Sequence, residues 1–345
     1  MQPVSSRRKR LIFLGILSCM AAVCIAVMAE VGLRLMGYQG APESTTANIR
    51  PIDDQVLNWR YVPGSEVRVG STRHKYNQAG FLDTEHAVEK PHTIRRVIVV
   101  GDSATDAGDA EWDGMFSARL QAGLGRTYEV ISIAMGGLNT PQEIHLLQKE
   151  GLVYRPDLVI LNFILNDCDF YTEYEAFLHY RAGKDSVIGL LGISIDPKYK
   201  RAIKSSALVY FVKQRIENAI GLMLGKEETG YIESIWEKPE NRRKVTDAFD
   251  QLQRLSKESN FSVLIVIWPV LSEFGHYKFQ SVHQWIQDVS EKRGFQSLDL
   301  LPHFASISYR DLQVTAEDNI HPNDRGRKIG ANAVLKWIQG ENVAR

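Results

Sequence analysis

The chain reads as an α/β domain built on a mostly parallel sheet with helices on both faces, preceded by one apolar helix. Three observations predict this. Short runs rich in Val and Ile alternate with helical spacing from about residue 95 onward. The first of these, Val97-Ile98-Val99-Val100, is apolar at successive positions, as in a strand covered on both faces. Three of the runs also end in Gly, Asn, Asp or Ser, where open parallel sheets place their ligand crevice.

The N-terminus comes first. Arg7-Arg8-Lys9-Arg10 precedes Leu11–Ala29, nineteen residues without a charge. As a helix these would span roughly 28 Å, about one hydrocarbon core. The basic cluster predicts a cytoplasmic tail (1–10), a transmembrane anchor (11–29) and a body outside the cytoplasm, at the bacterial periplasm or cell surface. The competing reading is a signal peptide cleaved after Val27-Met28-Ala29, which is disfavoured by the length of the apolar run. A lipoprotein site at Cys19 fits less well, because bulky Leu17 precedes it and the apolar stretch before it is short.

Residues 30–90 lack a long helical period and carry Pro42, Pro51 and Pro63. They read as a juxtamembrane linker with short extended pieces near Val67-Arg68-Val69. The α/β domain then covers 91–340. Its predicted order is strand Val97–Val100, helix Met115–Leu124, strand Tyr128–Ile133, helix Gln142–Leu152 and strand Leu158–Phe163. Residues 170–235 break the pattern and read as an insertion, with an amphipathic helix over Ala207–Leu224. Helix Asn241–Ser259, strand Ser262–Trp268, helix Phe279–Arg293, strand Phe295–Leu300 and helix Asp324–Ile338 complete the chain.

Composition narrows the function classes. Lys+Arg and Asp+Glu balance at 41 each, which argues against a nucleic-acid surface. With three cysteines, two of them in the apolar segment, neither a disulfide framework nor a cysteine-rich zinc site is available. HExxH, P-loop and GxGxxG motifs are absent.

The residues at the strand ends point to acyl transfer. Gly101-Asp102-Ser103 ends the first strand, Gly136-Gly137 follows the second, Asn166-Asp167 follows the third, and Asp318-x-x-His321 precedes the last helix. A serine hydroxyl is a poor nucleophile until a histidine takes its proton, and a carboxylate must orient that imidazole. The developing oxyanion needs preorganised donors, which backbone N–H groups and an Asn amide supply. Taken singly, Gly137 reads as a turn glycine and Asn166-Asp167 as a cap. Asp83-x-x-His86 has the same spacing as Asp318-x-x-His321, but it lies before the serine in the linker and reads as surface.

Taken in order, these elements resemble the SGNH hydrolase superfamily, also called GDSL esterases, over about residues 75–338. Asn77-Gln78-Ala79-Gly80-Phe81 is similar to the lead-in of its membrane-anchored bacterial members. The resemblance implies a three-layer flavodoxin-like fold with a five-stranded parallel sheet in the order 2-1-3-4-5. It implies Ser103 as nucleophile, His321 as general base and Asp318 as its orienting carboxylate. The oxyanion hole would be formed by the Ser103 and Gly137 N–H groups and the Asn166 side chain. Ile164 stands where the family usually has glycine, and Ala134 and Gly136 vary the second block, leaving Gly136 the poorer donor. Asp102 and Asp167 are expected to hold loops, and Cys168 to pack.

The expectation is a serine esterase acting on a small acyl ester, such as acetyl on a cell-envelope or exported polysaccharide, through an acyl-enzyme. No metal or organic cofactor is required. The expected partners are an acylated carbohydrate or lipid substrate and the membrane, through Leu11–Ala29. An O-acyltransferase using the same serine, a lysophospholipase or thioesterase, and a non-catalytic polysaccharide-binding or assembly component stand as alternatives.

Overall fold

The computed structural model describes residues 4–38, 48–69, 72–106, 109–168, 205–212, 215–216, 228–315 and 318–340. The chain divides into two units, residues 1–43 with 182–225, and residues 44–181 with 226–345.

In the first unit, helix α1 runs Val4–Leu35, and its Lys9–Leu35 portion, with a mean hydropathy of 2.7 over its most apolar 18 residues, is long and apolar enough to cross a membrane. Near its end, Glu30 accepts hydrogen bonds from Ser206 Oγ (2.8 Å) and from the N–H groups of Ala207 (3.1 Å) and Leu208 (2.8 Å). Residues 207–212 and 215–216 are helical; the remainder of the expected Ala207–Leu224 helix, and residues 169–204 of the insertion, lie outside the described residues.

The second unit holds the sheet. Its strands are β5 (Arg95–Gly101), β6 (Tyr128–Ala134), β7 (Leu158–Phe163), β8 (Ser262–Ile267) and β9 (Gln296–Asp299). They run parallel in the order β6-β5-β7-β8-β9, which is 2-1-3-4-5 counted along the sheet-forming strands. Val99, Ile160, Leu161 and Val266 are inaccessible to solvent, as the unbroken apolar runs require of strands covered on both faces.

Around the sheet, α2 (Phe116–Leu124) packs on the last helix, α7 (Asp324–Gly340), while α3 (Thr140–Leu146) packs on α5 (Pro239–Ser259). Helix α4 (Glu228–Trp236) and α6 (Gln280–Glu291) complete the layers. The helix expected over Gln142–Leu152 starts two residues earlier, because Asn139 and Gln142 form a reciprocal cap around Thr140-Pro141. Its regular turns end at Leu146; a π turn (Leu147–Gly151) and a 3-10 turn (Leu152–Tyr154) follow before left-handed Arg155.

Two expectations from the sequence are corrected. The stretch read as a linker is, over residues 48–90, part of the sheet-bearing unit. It forms hairpins β1 (Ile49–Pro51) with β2 (Trp59–Tyr61), and β3 (Glu66–Val69) with β4 (Thr72–Lys75). Trp59, Tyr61, Tyr76 and Phe81 are buried in the common core, so aromatic burial holds this stretch in the domain.

Asp83 and His86 are likewise not surface groups, their side chains being 2% and 8% exposed. Asp83 accepts the Ser132 N–H (2.6 Å) and Trp112 Nε1–H (2.9 Å), while the His86 ring lies between Asp83 (3.2 Å) and Glu129 (2.8 Å). Glu129 also takes Nε–H of the fully buried Arg96 (2.6 Å). The clamp fastens the segment before β5 to β5 and β6.

Candidate active site

Strand β5 delivers the serine. A Cβ on Gly101 would collide with the Thr105 side chain, so the tight turn after the strand requires glycine there. The turn closes on Asp102, whose carbonyl accepts the N–H groups of Thr105 (3.1 Å) and Asp106 (2.9 Å). Its Oδ1 takes the Ala104 N–H (2.9 Å). Ser103 emerges half-buried at the carboxyl end of the sheet.

The histidine arrives from the loop before α7. Asp318 Oδ1 accepts the N–H groups of Ile320 (3.1 Å) and His321 (2.9 Å), a side-chain turn that fixes the three-residue spacing. The loop is tied down by Leu271 N–H to the Asn319 carbonyl (2.7 Å) and Asn323 N–H to the Leu312 carbonyl (2.7 Å). Within it, His321 Nδ1 lies 2.9 Å from Asp318 Oδ2, and His321 Nε2 lies 2.8 Å from Ser103 Oγ. The imidazole is 38% exposed, enough for a substrate to approach. With Nδ1–H donating to Asp318, Nε2 is left to accept the serine proton. Burial pushes the Asp318 carboxyl up, but the His321 side chain and the two N–H groups outweigh it and hold it below the usual aspartate value.

Of the other predicted residues, Gly137 sits after β6 in a left-handed conformation (φ 76°), which favours glycine there. Its neighbour Gly136 donates its N–H to Asp106 Oδ2 (3.2 Å), and a Cβ there would lie 3.6 Å from Ser103 Cβ. Asn166, in the turn after β7, meets the serine through Asp102. Its Nδ2 lies 3.5 Å from Asp102 Oδ2, and Ser103 Oγ lies 3.1 Å from the same oxygen. Thus Ser103, His321 and Asp318 are brought together directly, Asn166 is brought in through Asp102, and Gly137 adjoins the turn that faces Ser103.

Asp167 is fully buried and accepts the Ile164 N–H (2.7 Å), holding the turn that carries Asn166. Cys168 packs at 0% exposure with Sγ on the Leu165 carbonyl (3.6 Å). Three groups, Tyr61, Asp106 and Glu143, escaped the sequence reading. Tyr61 donates from Oη to Asp106 Oδ2 (2.7 Å) beside Gly136. Glu143, on α3, is fully buried, and among the described residues neither carboxyl oxygen has a hydrogen-bond partner. Burial, and then the Asp102 charge, push its carboxyl well above the usual range; burial, Glu143 and Asp102 do the same to Asp167. The only advance signal was the Asn77–Phe81 stretch, which packs against the Tyr61 strand. Among the described residues no group of three His, Cys, Asp or Glu side chains is placed to hold a metal ion.

A family model described as "GDSL-like Lipase/Acylhydrolase family" matches residues 99–329. Solved structures similar to this chain include the acetyl xylan esterase AlAXEase, with 16% identity and a TM-score of 0.42 over 70% of this chain and 99% of that one. The lipase/acylhydrolase from Enterococcus faecalis is 17% identical, with a TM-score of 0.41 over 72% of this chain and 97% of its own. The psychrotrophic esterase EstA from Pseudoalteromonas sp. is 13% identical, with a TM-score of 0.40 over 71% and 97%. No curated protein gives a significant match.

Proposed function

We propose, from the premise that this chain belongs to the GDSL-like lipase/acylhydrolase family, that it is a serine esterase whose nucleophile is Ser103. The observation that carries the reading is the 2.8 Å approach of Ser103 Oγ to His321 Nε2, with Asp318 on the opposite ring nitrogen.

In this reading His321 takes the hydroxyl proton as Ser103 Oγ attacks the ester carbonyl. Asp318 holds the tautomer and stabilises the imidazolium that forms. The Ser103 and Gly137 N–H groups and the Asn166 amide receive the oxyanion, so the Asn166 amide turns from Asp102 toward the substrate. The imidazolium returns its proton to the leaving alcohol, giving an acyl-enzyme. Water, deprotonated by the same imidazole, then releases the acid and regenerates the hydroxyl.

The proposed substrate is a small acyl ester, such as acetyl, on a cell-envelope or exported polysaccharide. What supports it is the N-terminal helix, long and apolar enough for a membrane, behind a basic cluster that favours the cytoplasmic side. The body would then meet esters on polymers outside the cytoplasm.

The test is turnover of p-nitrophenyl acetate and release of acetate from O-acetylated polysaccharides by the full chain in detergent. Hydrolysis by the wild type, reduced about a thousandfold or more in Ser103→Ala and in His321→Ala, is the expected result. Hydrolysis unaffected by Ser103→Ala contradicts the assignment. A wild type that cleaves only long-chain lipid esters contradicts the substrate class alone.

A further inference from the structure

The Asn77-Gln78-Ala79-Gly80-Phe81 stretch supplies no member of the triad or oxyanion hole, yet it is built with care. Asn77 N–H donates to the Phe81 carbonyl (2.8 Å), Gly80 N–H to the Asn77 carbonyl (2.9 Å) and Phe81 N–H to Asn77 Oδ1 (2.9 Å). Asn77 Nδ2 reaches the Thr84 carbonyl (2.9 Å). Gly80 takes φ 83°, and a Cβ there would lie 3.1 Å from the Tyr61 carbonyl oxygen and 3.3 Å from Arg60 Nη2. Arg60 in turn donates to the Ala79 carbonyl (2.6 Å) and lies 4.8 Å above the Phe81 ring. This closed turn grips β2 at Arg60 and Tyr61.

Tyr61 passes the constraint on. Its ring is buried between Trp59 (5.3 Å) and Tyr76 (4.5 Å), and its hydroxyl donates to Asp106 Oδ2. The same carboxyl oxygen receives Gly136 N–H, and the Tyr61 oxygen itself lies 3.3 Å from that nitrogen. Gly136 adjoins Ser103, a Cβ on it lying 3.6 Å from the Ser103 Cβ, and Gly137 is the next residue of the same turn. The Gly136 N–H is committed to Asp106, and the turn it opens is closed by the Leu138 N–H on the Met135 carbonyl (3.4 Å), so the two bonds together restrain the intervening peptide that carries the Gly137 N–H. Tyr61 thereby adds a restraint, from a hairpin before the first sheet strand, to the turn that carries Gly137.

We propose that Tyr61 is a positioning residue of the esterase site, fixing the Gly136–Gly137 turn through Asp106, and that the 77–81 turn serves to hold Tyr61 in place. This rests on the esterase reading above and extends it: residues 48–82 are part of the catalytic apparatus, not its tether. The chemical consequence falls on the oxyanion, whose donors matter most once the carbonyl has become tetrahedral. Removing the hydroxyl lowers kcat and leaves ground-state binding alone.

The experiment compares Tyr61→Phe and Asp106→Asn with wild type, as full chains in detergent, on p-nitrophenyl acetate. Rates are expressed per active site titrated with a fluorophosphonate. Tyr61→Phe is expected to lower kcat about tenfold with KM within about twofold, a fraction of the loss typical when an oxyanion donor is removed outright. The acid limb of the pH profile, set by protonation of the general base, is expected to stay in place while the plateau drops. Asp106→Asn is expected to share this pattern with a loss at least as large. Wild-type kcat per titrated site in Tyr61→Phe, or an unchanged plateau with a shifted acid limb, overturns the proposal. An inactive, unlabelled wild type overturns the esterase reading and this one with it; an active wild type beside an unaffected Tyr61→Phe overturns this one alone.

Discussion

Two Asp-x-x-His motifs occur in this chain, and the structure sets them in opposite surroundings. At Asp318–His321 the ring is 38% exposed, with one nitrogen on a carboxylate and the other 2.8 Å from a hydroxyl. At Asp83–His86 the ring is 8% exposed and both nitrogens face carboxylates, of Asp83 and Glu129. Two carboxylates favour a doubly protonated ring; burial pulls the other way, and the carboxylates prevail, so His86 is raised above the usual imidazole value. A ring that holds both protons has no lone pair for a nucleophile. Spacing alone therefore places an imidazole beside an aspartate, and the partner of the second nitrogen separates a ring that faces a hydroxyl from one held between two carboxylates.

The sharpest way to break this contrast is to delete each ring in turn. His321→Ala is expected to lose about a thousandfold or more of wild-type turnover with little change in Tm. His86→Ala is expected to retain turnover within a few-fold and to lose stability instead. Equal loss of turnover per folded molecule in the two variants contradicts the division of roles.

The clamp also has its own pH signature. A folded-state value raised above the unfolded one contributes stability that is fully present below the ordinary imidazole value. That contribution is lost as pH rises through the raised value. The difference in Tm between wild type and His86→Ala is therefore expected to be roughly 5 °C at pH 6 and to shrink steadily above neutrality. Scanning fluorimetry from pH 5.5 to 9 checks this, and a gap that grows with pH contradicts it.

The smallest effect concerns the buried acids beside the site. Glu143 is raised, so its proton is held in the folded state and its contribution is lost as pH rises above the ordinary glutamate value. Glu143→Gln, neutral at every pH, is expected to match wild type near pH 4 and to exceed its Tm by a few degrees at pH 8. A variant less stable than wild type at pH 8 runs against a neutral Glu143.

Much of the catalytic framework was legible because its signals are local. Unbroken apolar runs mark strands buried on both faces, and β7 coincides with the predicted Leu158–Phe163. Ser103 follows one such run, and the Asp318–His321 turn depends on side-chain bonds within four residues. What escaped detection depends on contacts distant in sequence. Residues 48–90 have proline and no long period, so nothing local shows that Trp59 and Tyr61 are buried. Asp83 and His86 read as surface because their partners, Trp112, Glu129 and Ser132, lie 29 to 49 residues away. Glu143 is buried on α3 beside Ile144, and the carboxyl groups that interact with it, Asp102 and Asp167, are far from it in sequence, so no local pattern marks it as buried.

The central claim, that His321 activates Ser103, is tested most directly by mapping where a fluorophosphonate probe attaches. The full chain is labelled, digested and read by mass spectrometry beside Ser103→Ala and His321→Ala. One modified peptide is expected, carrying the adduct on Ser103, absent from the first variant and formed about a thousandfold more slowly in the second. An adduct on another residue, or no adduct on a folded wild-type chain, would contradict it.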